Sequence, residues 1–287
     1  MAKMGWNEAK TLDETLVELD SYFLHPPVAV RLLAGGLSNR CWKLTDNKGR
    51  HYVWRPVTST SVAFGVDRAH EYTLLQALSR YEHIPNAVAH FKSGLLVEWI
   101  EGSTPESIHP LSLMTLLASV HRVKIDNKPI QKFNFTERVD FYWLKLDKSG
   151  LDDLVLKLYQ RLRLPPADAE PVKTLCHFDI GCHNLIKNRV GYALIDWEYA
   201  AIADPRADIA ISCDMANLDV KQQVKLYCDI RGIEAVERWQ EITEQWLPRV
   251  QMMAMLWYYL GYQLWEESSY LEEAQRICRA LGKALDR

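Results

Sequence analysis

The feature that most constrains the fold of this 287-residue chain is a change in hydrophobic period part-way along it. Up to residue 100, apolar residues come in short strand-length runs bounded by turn residues. Residues 28–34 form one run and end at Gly35-Gly36; residues 41–45 resume it. Asn47-Lys48-Gly49 then turns the chain into a third run at 51–55, and further runs follow at 88–91 and 95–100. Between them, residues 67–80 have helical spacing, with Tyr72, Leu75 and Leu78 on one side and Asp67 as N-cap. Glu101-Gly102-Ser103-Thr104-Pro105 interrupts the pattern. Beyond it the period is helical, over 110–123, 141–163, 219–231, 233–265 (with a break allowed) and 271–285. One stretch, 173–197, departs from this. There Thr174-Leu175-Cys176, Asn184-Leu185-Ile186 and Tyr192-Ala193-Leu194-Ile195 are short runs between polar turns. The expectation is an α+β fold in two lobes. Residues 1–100 form a β-rich lobe, and 101–287 a larger, mainly helical lobe holding a small β insert.

Composition narrows the partners. Hydrophobic residues make up 48% and charged residues 25%, ordinary for a soluble globular protein long enough for two lobes. A formal net charge of −3 leaves no basic excess to neutralise a phosphate backbone, so a nucleic-acid partner is disfavoured. Neither a signal-peptide run at residues 1–10 nor a membrane-spanning run occurs in the sequence, and a soluble, cytoplasmic protein without a membrane partner is expected. The cysteines (Cys41, Cys176, Cys182, Cys213, Cys228, Cys278) lie scattered in apolar segments and read as reduced, mostly buried thiols. Cys176, His177, Cys182 and His183 could suggest zinc, but adjacent Cys-His pairs do not match zinc-ligand spacing.

Chemistry concentrates in the β insert. His177-Phe178-Asp179-Ile180-Gly181-Cys182-His183-Asn184 is followed by an apolar run ending in Asp196. Phosphoryl transfer needs a carboxylate beside the attacking hydroxyl, and an Asn with a second carboxylate to hold Mg²⁺ against phosphate. H-x-D-x4-N before a strand ending in Asp supplies these parts at a spacing that brings them to one place. A polar surface turn would account for Asp179 or Asn184 singly. It would not account for both at this spacing, beside a strand-terminal Asp.

These residues resemble the aminoglycoside phosphotransferase and choline kinase superfamily, whose fold is similar to that of protein kinases. The strongest match is Leu194-Ile195-Asp196-Trp197-Glu198-Tyr199-Ala200, similar to the choline kinase and bacterial thiamine kinase form of the motif. Asp204-Pro205 and Asp208-Ile209-Ala210 fit the same pattern, and the resemblance spans about residues 33–265. It implies a kinase-like fold, ATP and Mg²⁺. Asp179 would be the catalytic base or hydroxyl-orienting carboxylate, His177 a structural residue of the catalytic loop and Asp208 its brace. Asn184 and Asp196 would bind metal, with Glu198 assisting. Gly35, Gly36, Ser38 and Asn39 would cover the nucleotide phosphates, a role their hairpin-like sequence does not require. Arg55 would stand in for the phosphate-contacting lysine, which its bidentate guanidinium suits. Glu71 would be its ion-pair partner, and Glu98 and Ile100, around Trp99, would form the adenine hinge. No Walker A sequence occurs, and no activation loop separates Asp196 from Asp208.

For the acceptor, Trp257, Tyr258, Tyr262 and Trp265 put an aromatic stripe on one helix near Glu266 and Glu267. Aromatic faces beside carboxylates suit an organic cation, although aromatics at helical spacing also build cores. The stripe, with the resemblance at residues 195–199, points to a small cationic alcohol, thiamine or choline. The chain length and residues 195–200 resemble the bacterial thiamine kinases, which puts thiamine first and choline next. An aminoglycoside, ethanolamine, a sugar or homoserine is the alternative within the same fold. A catalytically inactive binding protein is the alternative of another class, and retention of Asp179, Asn184 and Asp196 argues against it.

Overall fold

The computed structural model describes residues 4–33, 41–125, 129–167 and 172–285. The chain divides into two compact units. The first takes Met1–Pro105, Ile125–Ile130 and His183–Glu198; the second takes Glu106–Lys124, Gln131–Cys182 and Tyr199–Arg287.

The first unit opens with helix α1 (Trp6–Leu12) and a 3₁₀ turn (Glu14–Ser21), then strands β1 (Ala29–Leu32), β2 (Trp42–Thr45) and β3 (His51–Pro56). Helices α2 (Ser59–Ala63) and α3 (Arg68–Leu78) precede β4 (Ala87–Phe91) and β5 (Gly94–Glu98). The strands pair antiparallel in the order β1-β2-β3-β5-β4. One core cluster joins Trp6, Ala9, Leu16 and Leu19 to Val30, Trp42, Leu44, Trp54 and Leu96 of the sheet. The three indole N–H groups in it donate to Asp20, Asp13 and Thr15 respectively, so large aromatic area is buried without an unmet donor. Residues 6–21 are helical although no periodic run there predicts it. Their apolar positions straddle the break at Asp13 and become an apolar face only once packed on the sheet.

Asp67 caps α3 as its sequence suggests, its side chain accepting from the N–H groups of Ala69 and His70. Leu75 and Leu78 are buried, while Tyr72 is half-buried and stacks on His90.

The second unit begins with α4 (Pro110–His121), α5 (Phe135–Lys145), α6 (Asp153–Leu162) and β6 (Thr174–Cys176). The chain then contributes the hairpin β7 (Leu185–Asn188) and β8 (Gly191–Leu194) to the first unit. It returns for β9 (Ala201–Ala203), α7 (Pro205–Met215), α8 (Val220–Arg231), α9 (Val236–Trp265) and α10 (Ser268–Leu285). Strand β6 pairs with β9, and β7 with β8.

The single helix expected over 141–163 is two. Ser149 binds the Asp147 carboxylate in a turn, Gly150 takes a left-handed φ of +84°, and Asp152 caps a new helix through the Leu154 N–H. The allowed break in α9 does not occur: the helix runs on through Pro248. Helix α7, which the sequence reading leaves unassigned, starts at Asp204-Pro205, an N-cap followed by proline in the first turn.

Candidate active site

Each unit carries part of the expected machinery. In the second, Cys176 ends β6 and the chain enters the loop with His177 fully buried and Asp179 partly exposed. Phe178 between them has φ +68°, a conformation that L residues with bulky side chains rarely hold. Asp208, in the first turn of α7, supports it. Its Oδ2 accepts from the His177 N–H at 2.8 Å and its Oδ1 from the Phe178 N–H at 2.9 Å. The buried His121 ring stands 3.1 Å from the same carboxylate and 2.8 Å from the Tyr227 hydroxyl. Burial alone would push the Asp208 carboxyl up. The His121 hydrogen bond and charge, with the backbone donors, outweigh it and hold the group below the usual carboxylate range. His121, Cys176 and Asp208 also come close enough to suggest a metal. Both ring nitrogens of His121 and both carboxylate oxygens of Asp208 already have protein partners, so this cluster reads as a brace.

In the first unit the β7–β8 hairpin sets the residues expected to bind metal. Its register pairs Leu185 with Leu194, and one step further the Ile195 N–H donates to the Asn184 carbonyl at 3.0 Å. Asn184 and Asp196 therefore leave the open end of one hairpin side by side. Asp196 is a second non-glycine residue with left-handed backbone, φ +64°. The turn after it is fixed by the buried Trp197 indole, which donates to the Leu194 carbonyl.

Arg55 on β3 reaches this hairpin. Its Nη2 donates to Asp196 at 2.5 Å and to Glu198 at 2.9 Å, and its Nε lies 3.1 Å from Glu71. Arg55 is thus buried among carboxylates. It is buried because β3 is central in the sheet and the side chain points into this ion cluster. Arg68, absent from the expected set, donates to Glu71 and to Glu198. Three carboxylates meet two guanidiniums here. Burial first, and Asp196 second, push the Glu198 carboxyl up to about 7 against the pull of Arg68 and Arg55. The cluster's oxygen donors, beside Asn184 and Asp196, are of the kind that could hold a hard divalent cation.

Other expected residues fall as follows. Gly35, Gly36, Ser38 and Asn39 lie outside the described residues. Glu98 ends β5 with an exposed side chain that accepts from Asn86, and its N–H donates to the Asn86 carbonyl. Ile100 is half-buried just past the strand. The Trp99 ring between them carries the Lys43 ammonium 3.6 Å from its centroid.

On α9, Trp257, Tyr258 and Trp265 come together around the buried Tyr270 of α10, with ring centroids 4.8–5.8 Å from it. Tyr262 is half-buried on the same helix and does not join that cluster among the described residues. Trp257 also donates to the Tyr199 hydroxyl. All four expected aromatics are only partly buried, whereas Leu256, Tyr259 and Leu260 fill the core. Burial raises the Tyr258 hydroxyl pKa, and the charges of Glu273 and Asp179 raise it further, so the aromatic cluster and Asp179 share one electrostatic neighbourhood. Tyr270 is the member that sequence reasoning missed. It stands on the next helix, outside the periodic stripe.

Residues 29–242 match the model of a family described as phosphotransferase enzymes. The chain belongs to the phosphotransferase enzyme family. Among curated members, it is 20% identical over 155 residues to a protein LicA homolog of Mycoplasma capricolum subsp. capricolum, covering 54% of this chain and 64% of that one. It is 24% identical over 144 residues to a thiamine kinase of Shigella boydii serotype 4, covering 50% of this chain and 52% of that one. The matches thus span between about half and two-thirds of these relatives' lengths. The solved structure of choline kinase LicA from Streptococcus pneumoniae superposes with a TM-score of 0.73 at 19% identity, over 96% of this chain and 99% of that one. At that identity the likeness establishes the fold, which is α+β and protein kinase-like with a β-sheet N-terminal part and a helical C-terminal part.

Proposed function

We propose that this family member transfers the γ-phosphoryl group of ATP to the hydroxyl of a small cationic alcohol, thiamine first and choline next. The observation that carries the acceptor class is the cluster of the half-buried Trp257, Tyr258 and Trp265 around the buried Tyr270, with the Asp179 charge acting on Tyr258. Aromatic faces attract organic cations, and nearby carboxylates add to the attraction. Tyr262, half-buried on the same helix, is assigned to the same acceptor site.

In this reading Asp179 accepts or orients the proton of the acceptor hydroxyl. That oxygen bonds to the γ-phosphorus as the bond to the β-phosphate oxygen breaks, and ADP leaves. Asp208 keeps the loop in place through the backbone at His177 and Phe178. Asn184 and Asp196 would hold Mg²⁺, with Glu198 behind them; bound there, the ion neutralises phosphate charge. Arg55 handles nucleotide phosphate with Glu71 as its partner. Gly35, Gly36, Ser38 and Asn39 are assigned to the phosphates, and Glu98 and Ile100 to the base. The proposed division into lobes is residues 1–100 for the nucleotide and 101–287 for catalysis and the acceptor. A cytoplasmic location is proposed with it, and among the described residues no helix is long and apolar enough to cross a membrane.

An ATP-consumption assay with thiamine, choline, ethanolamine and kanamycin tests the proposal. Saturable turnover with thiamine or choline is expected. Turnover with kanamycin alone would overturn the cationic-alcohol reading, and nucleotide binding without turnover on a wide acceptor panel would overturn the kinase reading.

A further inference from the structure

Arg68 opens α3, directly after the cap Asp67, and its side chain is only 1% exposed, against 9% for Arg55. Its Nη1 donates to Glu71 Oε2 at 2.5 Å and to Glu198 Oε2 at 2.9 Å. Arg55 uses the other oxygen of Glu71, at 3.1 Å from Nε, and the same oxygen of Glu198, at 2.9 Å from Nη2. Arg55, Glu71, Arg68 and Glu198 therefore close a ring in which charge alternates and each member meets two partners. Asp196 joins the ring through Arg55.

The ring determines what Arg55 can do. A buried carboxylate without a cation is strongly destabilising, so Glu71 and Glu198 each demand a guanidinium. With Arg55 alone, three carboxylates would compete for one fork of donors, and the two most buried would hold it. Arg68 supplies the second fork and leaves an Nη2 donor of Arg55 for Asp196. We infer that Arg68 is a positioning residue for Arg55: it anchors Glu71 and Glu198, so that the Arg55 guanidinium stays directed at Asp196 and at the nucleotide phosphates. The phosphate part of this inference rests on the phosphotransferase reading proposed above; the anchoring part does not.

Sequence holds a faint signal for it. Arg68 and Glu71 lie at i and i+3 on one helix face, an ordinary surface pairing. Burial of both, and the arrival of Glu198 from 130 residues further along the chain, turn that pairing into half of a ring.

The test compares Arg68→Met, Arg68→Lys, Glu198→Gln and the double variant Arg68→Met/Glu198→Gln. Melting temperature is read without ligand, and Mg·ATP affinity is read by calorimetry. Arg68→Met is expected to melt lower and to bind Mg·ATP at least tenfold more weakly, with Arg68→Lys between it and wild type. Glu198→Gln is expected to raise the melting temperature more in the Arg68→Met background than in wild type, because there it removes an uncompensated charge. Should Arg68→Met fail to fold, the charge-balanced double variant and Arg68→Lys carry both readings. Equal effects of Glu198→Gln in the two backgrounds would overturn the anchoring, and wild-type Mg·ATP affinity in Arg68→Met would overturn the positioning of Arg55. A wild-type protein that does not bind Mg·ATP would sink the phosphotransferase reading and Arg68's nucleotide role with it. The ligand-free melting comparison would still decide whether Arg68 anchors Glu198.

Discussion

Phe178 and Asp196 are both non-glycine residues with left-handed backbone, one directly before Asp179 and one at the end of the hairpin that starts at Asn184. Such conformations cost about 1–3 kcal/mol each and persist where the surroundings enforce them. At Phe178 the enforcing group is the Asp208 carboxylate on two successive N–H groups; at Asp196 the Trp197 indole fixes the following turn on the Leu194 carbonyl. Strain stored directly before Asp179, and at Asp196 itself, is what a prearranged site would use. The residue-scale prediction concerns Asp179, which is partly exposed where Asp208 is buried. Asp179→Asn should lower kcat by about 10²–10⁴-fold, the usual contribution of a positioned acid–base group. Mg·ATP affinity measured by calorimetry should stay near wild type. A variant retaining most of its turnover would remove Asp179 from the mechanism.

Among the elements, α9 and α10 carry the proposed acceptor site. Gly261 lets them approach: a Cβ there would stand 2.6 Å from the Tyr270 ring and 2.7 Å from the Trp265 ring. Glycine is a poor helix residue, costing about 1 kcal/mol against alanine, so alanine would gain locally. Here contact overrides propensity. Gly261→Ala should push Tyr270 or Trp265 aside and lower stability by about 1–3 kcal/mol, as overpacking does. If the cluster binds the acceptor, the same change should raise KM for it several-fold and leave KM for ATP unaltered. Steady-state kinetics on both substrates separates these outcomes. The same packing explains why Tyr270 escapes the periodic reading: it completes the aromatic group from another helix, and no spacing along α9 announces it.

For the whole molecule, the buried Asp208 network makes stability depend on acid. Because the folded protein holds this carboxyl below its ordinary value, its charged form contributes stability at pH values above the unfolded pKa, about 3.9. That contribution is lost as pH falls from there through the folded value. Asp208→Asn leaves at least one of the His177 and Phe178 N–H groups without its acceptor, which should cost about 1–3 kcal/mol at pH 7. The variant's stability should also fall less steeply than wild type between pH 5 and pH 3. Urea unfolding at these pH values checks both, and a loss of slope without a loss at pH 7 would contradict the network.

What the sequence by itself determined is whatever short spacing encodes. The H-x-D-x4-N stretch, Asp196 twelve residues past Asn184, and the shift from strand-length runs to helical period are all local, so fold class and family are legible from them. The turn at 147–152 is local too and was hidden only because helical spacing continues on both sides of it. Tertiary structure decided the rest, since it pairs residues that chain distance keeps apart. Glu198 meets Arg68 across 130 residues, His121 meets Asp208 across 87, and Tyr270 enters the rings of α9. Charges and aromatic faces choose partners by burial and distance in space, and those are quantities the spacing of residues along a chain does not carry.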